Sequence, residues 1–200
     1  MTKIPKIFIS ALFLVVFAIG CKTKLSDASS KVAVLESSIF KKEVEEEIHW
    51  YTFEEAVALN EKEPKNILVD FYTSWCHWCK VLDQKTWSDK GIAKIVNQYY
   101  YPVKFNAEQQ DSVVFQGKTY RLINSDGRPY HELAASMLQG KMTYPTVLFL
   151  DPQYRIIAPI AGFIEPKEME PILSFLGLNL YKDPSQNWQE YQKNYKSIKP

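Results

Sequence analysis

Residues 66–81 read N-I-L-V-D-F-Y-T-S-W-C-H-W-C-K-V. The first seven are almost continuously apolar and of strand length, the pattern of a buried strand. One acid, Asp70, interrupts the run. Thr73, Ser74 and Trp75 then turn the chain, and a helix is predicted to open at about Cys76. Cys76 and Cys79 stand in a C-x-x-C spacing. At a helix start, free backbone N–H groups and the helix dipole favour negative charge, so the first thiol ionises more readily. The second sulfur follows one turn later, within reach of the first. The spacing assigns Cys76 as the nucleophile that attacks a partner's disulfide. Cys79 is then the thiol that resolves the mixed disulfide.

The cysteine count favours chemistry over a structural staple. There are three cysteines, Cys21, Cys76 and Cys79. A bridge across so short a loop as 76–79 constrains the unfolded chain little. Cys21 belongs to a different kind of segment. Lys3 and Lys6 precede an apolar run at 7–19, too short to cross a bilayer comfortably and suited to the apolar part of a signal peptide. The run ends in Ala18-Ile19-Gly20-Cys21, similar to a bacterial lipobox, although leucine is preferred where Ala18 stands. Residues 1–20 are therefore expected to be a lipoprotein signal peptide, with Cys21 as the lipidation site. An ordinary signal peptide or an uncleaved anchor is the alternative. This places the protein in the bacterial cell envelope, facing the periplasm and lipid-anchored to the inner or the outer membrane. Losing residues 1–20 removes two of the 24 basic residues and none of the 23 acids, so the mature charge is close to neutral.

Residues 21–47 are polar and charged, and are read as a tether. A folded domain is expected over 48–178, followed by a tail at 179–200. Apolar residues make up 46% of the chain and aromatics 14%, enough to fill a sizeable core. A formal charge of +1 carries no electrostatic footprint for nucleic acid. Residues 48–51 suggest a short first strand. Thr52 and Glu55 form a capping-box pattern for a helix to about Asn60. Ser88 is the expected cap of a helix to about Asn97, and 99–106 is strand-like. An insertion is expected at about 108–140. In it, 112–123 suggests a hairpin turning at Gln116-Gly117, 124–129 is turn-rich and 130–138 is a short helix. Two strand runs, 146–150 and 155–160, flank a tight turn, and a helix over 166–176 is expected to stop at Gly177. The order predicts an α/β fold, a central mixed β-sheet flanked by helices.

Several separate positions resemble the thioredoxin superfamily. Trp75 stands just before the first cysteine and Lys80 just after the second. Asp70 lies where thioredoxins keep a buried acid beneath the resolving cysteine. Lys104, in V-K-F-N-A-E, falls where they place the lysine that pairs with that acid. Tyr144-Pro145-Thr146 matches the loop whose cis-proline faces the cysteines, and Gly162 falls near the glycine after the last hairpin. Together with Thr86-Trp87-Ser88-Asp89, these look closest to the thioredoxin-like domains of exported bacterial redox proteins. Those include the C-terminal domain of the transmembrane thiol:disulfide interchange protein. The resemblance implies a thioredoxin fold with the insertion ahead of the cis-Pro loop. It implies Asp70 as the proton acceptor for Cys79, with Lys104 as its partner, and substrate contacts at Trp75, Tyr144 and cis-Pro145. His77 and Trp78 depart from thioredoxin's glycine and proline. A protonated histidine beside the nucleophile stabilises the thiolate, so both residues are candidates for redox tuning. The expected potential lies between thioredoxin's roughly −270 mV and the roughly −120 mV of the strongest oxidant.

Two function classes compete. The first is a thiol–disulfide oxidoreductase acting on protein partners in the envelope. The second is a module that binds or delivers a soft metal, copper or zinc, through Cys76, His77 and Cys79. His49 and His131 lie far away in sequence, and a closed zinc site normally gathers four ligands. No metal is therefore expected. No dinucleotide or P-loop glycine pattern occurs in the chain. No cofactor is expected beyond the Cys76–Cys79 pair. Electrons would pass to or from another membrane or periplasmic protein.

Overall fold

The computed structural model describes residues 47–125 and 127–197. The chain divides into two units, Met1–Glu43 and Val44–Pro200, and every described residue belongs to the second. Cys21 and the expected signal peptide lie outside the described residues, as does all of the tether but Glu47.

The apolar run 66–72 is β1 (Asn66–Tyr72), buried along nearly its whole length at the centre of a four-stranded sheet. β2 (Tyr100–Asn106) lies parallel to it on one side. β1 and β2 are joined through three helical pieces. These are α2 (His77–Leu82), a π-helical turn (Asp83–Trp87) and α3 (Lys90–Tyr99); α1 (Phe53–Lys62) precedes β1. Later in the chain come two small hairpins, β3 (Val113–Phe115) with β4 (Lys118–Tyr120) and β5 (Leu122–Ser125) with β6 (Arg128–His131). α4 (Glu132–Met137) follows, and then β7 (Thr146–Leu150) and β8 (Ile156–Ala161). These two complete the main sheet as antiparallel strands, in the order β2-β1-β7-β8. The sheet is therefore mixed, as its sequence order predicts. Both outer strands carry a proline, Pro102 in β2 and Pro159 in β8; edge strands tolerate a residue without an N–H.

Alternation along β1 divides the core. Val69 and Phe71 face α1, α4 and the first hairpin, among Phe53, Phe105, Phe115 and Leu133. Leu68 faces the opposite layer of α2, α3 and α5 (Pro166–Gly177), among Leu82, Ile92, Phe149 and Leu173. The tail forms α6 (Trp188–Asn194), whose Trp188 and Tyr191 rings meet Phe175 of α5 at 5.3 and 5.1 Å.

The capping box of α1 is present in full. Glu55 N–H donates to Thr52 Oγ1 at 3.1 Å, and Thr52 N–H donates to the Glu55 carboxylate at 2.8 Å. Thr52→Ala is expected to cost about 1 kcal/mol, lowering the thermal melting point by about 3 °C.

Five local expectations are corrected. Residues 48–51 form only an isolated bridge, Tyr51 with Val103. Asn97 holds the segment instead, accepting from His49 N–H and donating to the Glu47 carbonyl. Asp89, not Ser88, caps α3. The Ser88 hydroxyl is spent on the Gln84 carbonyl of the π turn, while Asp89 accepts from Gly91 and Ile92. The turn-rich stretch 124–129 belongs mostly to the second hairpin. α4 begins two residues later than expected, because His131 ends β6 and accepts Leu133 N–H as the cap. Gly177 lies within the last turn of α5, and the left-handed residue after it is Asn179 (φ 57°). Gly177 has a packing reason instead: a Cβ there would stand 2.8 Å from Tyr99 Cβ. The hairpin turn at Gln116-Gly117 is as predicted, both residues having positive φ (48° and 74°) as a tight two-residue turn requires.

Candidate active site

β1 delivers the chain to a turn at 73–76, closed by Cys76 N–H on the Thr73 carbonyl at 3.2 Å. Cys76 is the N-cap of α2, so the predicted helix start stands within one residue. Cys76 and Cys79 are joined in a disulfide with their Cα atoms 5.3 Å apart. Cys79 N–H points at Cys76 Sγ at 3.1 Å. This is a donor aimed at the sulfur that it would stabilise as a thiolate once the disulfide is opened. Both cysteines are buried, whereas the flanking Trp75 and Trp78 are 66% and 55% exposed.

The cis peptide Tyr144-Pro145 lies in the loop before β7. Trp75 brings that loop to the cysteine turn, its ring meeting Tyr144 edge-on at 6.2 Å. Gly162 N–H donates to the Pro145 carbonyl at 2.8 Å and backs the loop from behind. Burial, with Glu108 nearby, pushes the Tyr144 hydroxyl up to about 12. His77 is exposed and meets Trp78 edge-on at 5.5 Å.

Asp70 and Lys104 are direct partners across the parallel β1–β2 register. Lys104 Nζ donates to Asp70 Oδ2 at 2.6 Å, and Trp87 Nε1 donates to the same oxygen at 2.9 Å. Lys104 also pairs with Asp83. Asp70 is 1% exposed, and its Oδ1 has no protein partner. Burial pushes the Asp70 carboxyl above its ordinary value; Lys104 and Trp87 oppose that shift and Asp83 adds to it. Burial also pulls on Lys104 in the direction of losing its proton. The two carboxylates outweigh that, so the ammonium is held above its ordinary value. The arrangement leaves one buried oxygen, Oδ1, free to take a proton beside a lysine that keeps its charge.

The predicted residues thus fall into two assemblies. The Trp75–Tyr144 contact brings the cysteine turn and the loop of cis-Pro145 together, and Asp70 and Lys104 form a buried pair across β1 and β2. Five further residues complete them: Asp83, Trp87, Trp50, Glu108 and Phe163. Asp83 lies four residues after Cys79, on the same helical face, a signal visible in the sequence. Trp50 lies over Lys104 Nζ at 5.1 Å. Glu108 accepts Trp75 Nε1 at 2.9 Å, and Phe163 stacks on Trp78 at 5.8 Å. No local pattern announces these last three.

Among the described residues, no group of three or more His, Cys, Asp or Glu side chains is placed to hold a metal ion. His131 is fully buried and uses both ring nitrogens. Nδ1 accepts from Leu133 N–H, and Nε2–H donates to the Asp111 carbonyl at 3.1 Å. Among the described residues, no helix is long and apolar enough to cross a membrane.

The chain is similar to several known proteins. A thioredoxin from Thermus thermophilus superposes with a TM-score of 0.50 at 19% identity, over 64% of this chain and 86% of that one. This likeness shows the thioredoxin fold. A structure described as DsbH Oxidoreductase aligns with a TM-score of 0.47 at 16% identity, over 67% of this chain and 86% of that one. An uncharacterized protein of Caenorhabditis elegans is 27% identical over 131 residues, or 64% of this chain. The match spans 16% of that relative's length. Residues 29–198 match the Thioredox_DsbH family, described as "Protein of unknown function, DUF255". With most of its length matched, the chain belongs to that thioredoxin-like family.

Proposed function

We propose that this protein is a thiol–disulfide oxidoreductase of the bacterial cell envelope, exchanging disulfides with protein partners through Cys76 and Cys79. The observation that carries this reading is the Cys76–Cys79 disulfide at the start of α2, with Cys79 N–H directed at Cys76 Sγ. In the reducing direction, the Cys76 thiolate attacks one sulfur of the partner's disulfide. The partner's other sulfur leaves as a thiolate and takes up a proton. Cys79 passes its proton to Asp70 and attacks Cys76 Sγ. The internal disulfide forms, and the partner's remaining sulfur leaves as the second thiolate. Two electrons have moved to the partner, and the same steps reversed oxidise a dithiol.

Lys104 holds Asp70 in place, and Trp75, Tyr144 and Pro145 receive the partner chain. His77 and Trp78 adjust the potential, which a titration against glutathione would read between roughly −270 and −120 mV. Cys21 carries the lipid that tethers the domain to the membrane, where a membrane or periplasmic protein renews the pair.

Removing the resolving thiol tests the reading. Cys79→Ala, expressed with its native leader, is expected to accumulate mixed disulfides between Cys76 and partner proteins. Non-reducing gels show these as adducts that collapse on adding dithiothreitol. Equal adduct levels in Cys79→Ala and Cys76→Ser/Cys79→Ala would refute the proposal.

A further inference from the structure

The segment 47–51 takes no part in the sheet beyond one bridge, yet it is firmly held. His49 N–H donates to Asn97 Oδ1 at 3.0 Å, Asn97 Nδ2 donates to the Glu47 carbonyl at 2.8 Å, and Tyr51 N–H donates to the Pro102 carbonyl at 2.8 Å. What these anchors place is Trp50. Its ring lies 5.1 Å from Lys104 Nζ, and the Tyr72 ring lies 5.2 Å from the same nitrogen. Trp50 also meets Trp87 edge-on at 5.7 Å, and Trp87 is the indole that donates to Asp70 Oδ2. One half-buried side chain therefore touches both groups that bind the Asp70 carboxylate.

We propose that Trp50 is a positioning residue that covers the buried Asp70–Lys104 pair, excluding water from it and fixing the two donors on Asp70 Oδ2. This deepens the reading of Asp70 as the proton acceptor for Cys79 and rests on it. The charged groups facing Asp70 are Lys104 from β2 and Asp83 from the π turn. Asp83 is itself open to solvent, its side chain 45% exposed. It cannot seal the pair, and no other aromatic ring contacts both Lys104 and Trp87 among the described residues. An aromatic face suits the position because it attracts the ammonium without competing for the carboxylate.

The test titrates Asp70 directly. Full-length protein labelled with ¹³C at the aspartate carboxyl is followed by NMR as a function of pH. The set is wild type, Trp50→Ala, Trp50→Phe and Trp50→Leu, with Asp70→Asn assigning the signal. Trp50→Ala is expected to lower the Asp70 midpoint by about one pH unit, because burial is the main influence holding it up. Trp50→Phe, which keeps a ring over Lys104, is expected to stay near the wild-type midpoint. Trp50→Leu keeps bulk without a ring, guards against a misfolded alanine variant and is expected to fall between. An unmoved midpoint in folded Trp50→Ala and Trp50→Leu overturns the proposal. The proton-acceptor role is read separately, from the rate at which Asp70→Asn resolves a preformed Cys76 mixed disulfide. An undiminished rate removes that role, while the titration still decides whether Trp50 covers the pair.

Discussion

Cys76→Ser is expected to lower the rate of insulin disulfide reduction by at least about 1000-fold, because an alcohol at neutral pH is not an attacking group for a disulfide. The loss is chemical rather than structural. Cys76 is the N-cap of α2 and accepts Cys79 N–H through its side chain. Serine is among the best N-cap residues, so its hydroxyl keeps that hydrogen bond and the helix start survives. Thermal melting of the variant is therefore expected to stay close to that of the reduced wild type, while insulin turbidity fails to develop. Cys79 is left as a single thiol, two per cent exposed and lacking the partner that would close the cycle. A Cys76→Ser protein that reduced insulin within a few-fold of wild type would place the chemistry elsewhere.

Lys104→Met is expected to destabilise the fold by about 3 kcal/mol at pH 8, and by much less at pH 4. The stem of the side chain still packs, so the missing element is the charge. Asp70, 1% exposed in the wild type, keeps the hydrogen bond from Trp87 Nε1 but loses the one from Lys104. Its folded-state carboxyl already sits above its ordinary value through burial, against the pull of Lys104. A group raised on folding contributes stability that is present below its unfolded value, and loses it as pH rises through the folded one. Removing Lys104 raises the carboxyl further, so the loss extends to higher pH. Urea unfolding of wild type and variant at both pH values measures the difference. Adding Asp70→Asn to the variant is expected to restore most of the stability at pH 8, since no buried charge is then left without a partner. Equal destabilisation at both pH values would show that lost packing, rather than the stranded carboxylate, is responsible.

Much of the site lies within one short stretch and was legible there. Asp70 inside an apolar run announces a buried acid, and C-x-x-C directly after that run announces a helix start. Lys104 is different in kind. Its pairing with Asp70 depends on the register between β1 and β2, set by the crossover through α2, the π turn and α3. The resemblance supplied it, and no local pattern could have done so. Trp87 was visible as part of a familiar stretch, but its reach to Asp70 depends on the widened turn at Asp83–Trp87. That turn also explains the misplaced cap. Ser88 and Asp89 are both good cap residues, and only the Ser88 bond to Gln84 leaves the role to Asp89. In the insertion, Leu122–Ser125 and Arg128–His131 pair as strands of four residues, half-exposed and interrupted by Pro129. Strands so short have no alternation to read, so 124–129 reads as turns in the sequence.

The prolines of the outer strands bear on how a partner is let go. A sheet edge with a full row of N–H and C=O groups invites an unfolded chain to dock along it and stay. Here Pro102 removes one donor from β2 and Pro159 removes one from β8, while Tyr51 already occupies the Pro102 carbonyl. A protein partner of the proposed exchange would thus find an interrupted row of main-chain groups along either edge. In the exchange proposed above, its residence time would then follow the lifetime of a sulfur–sulfur bond.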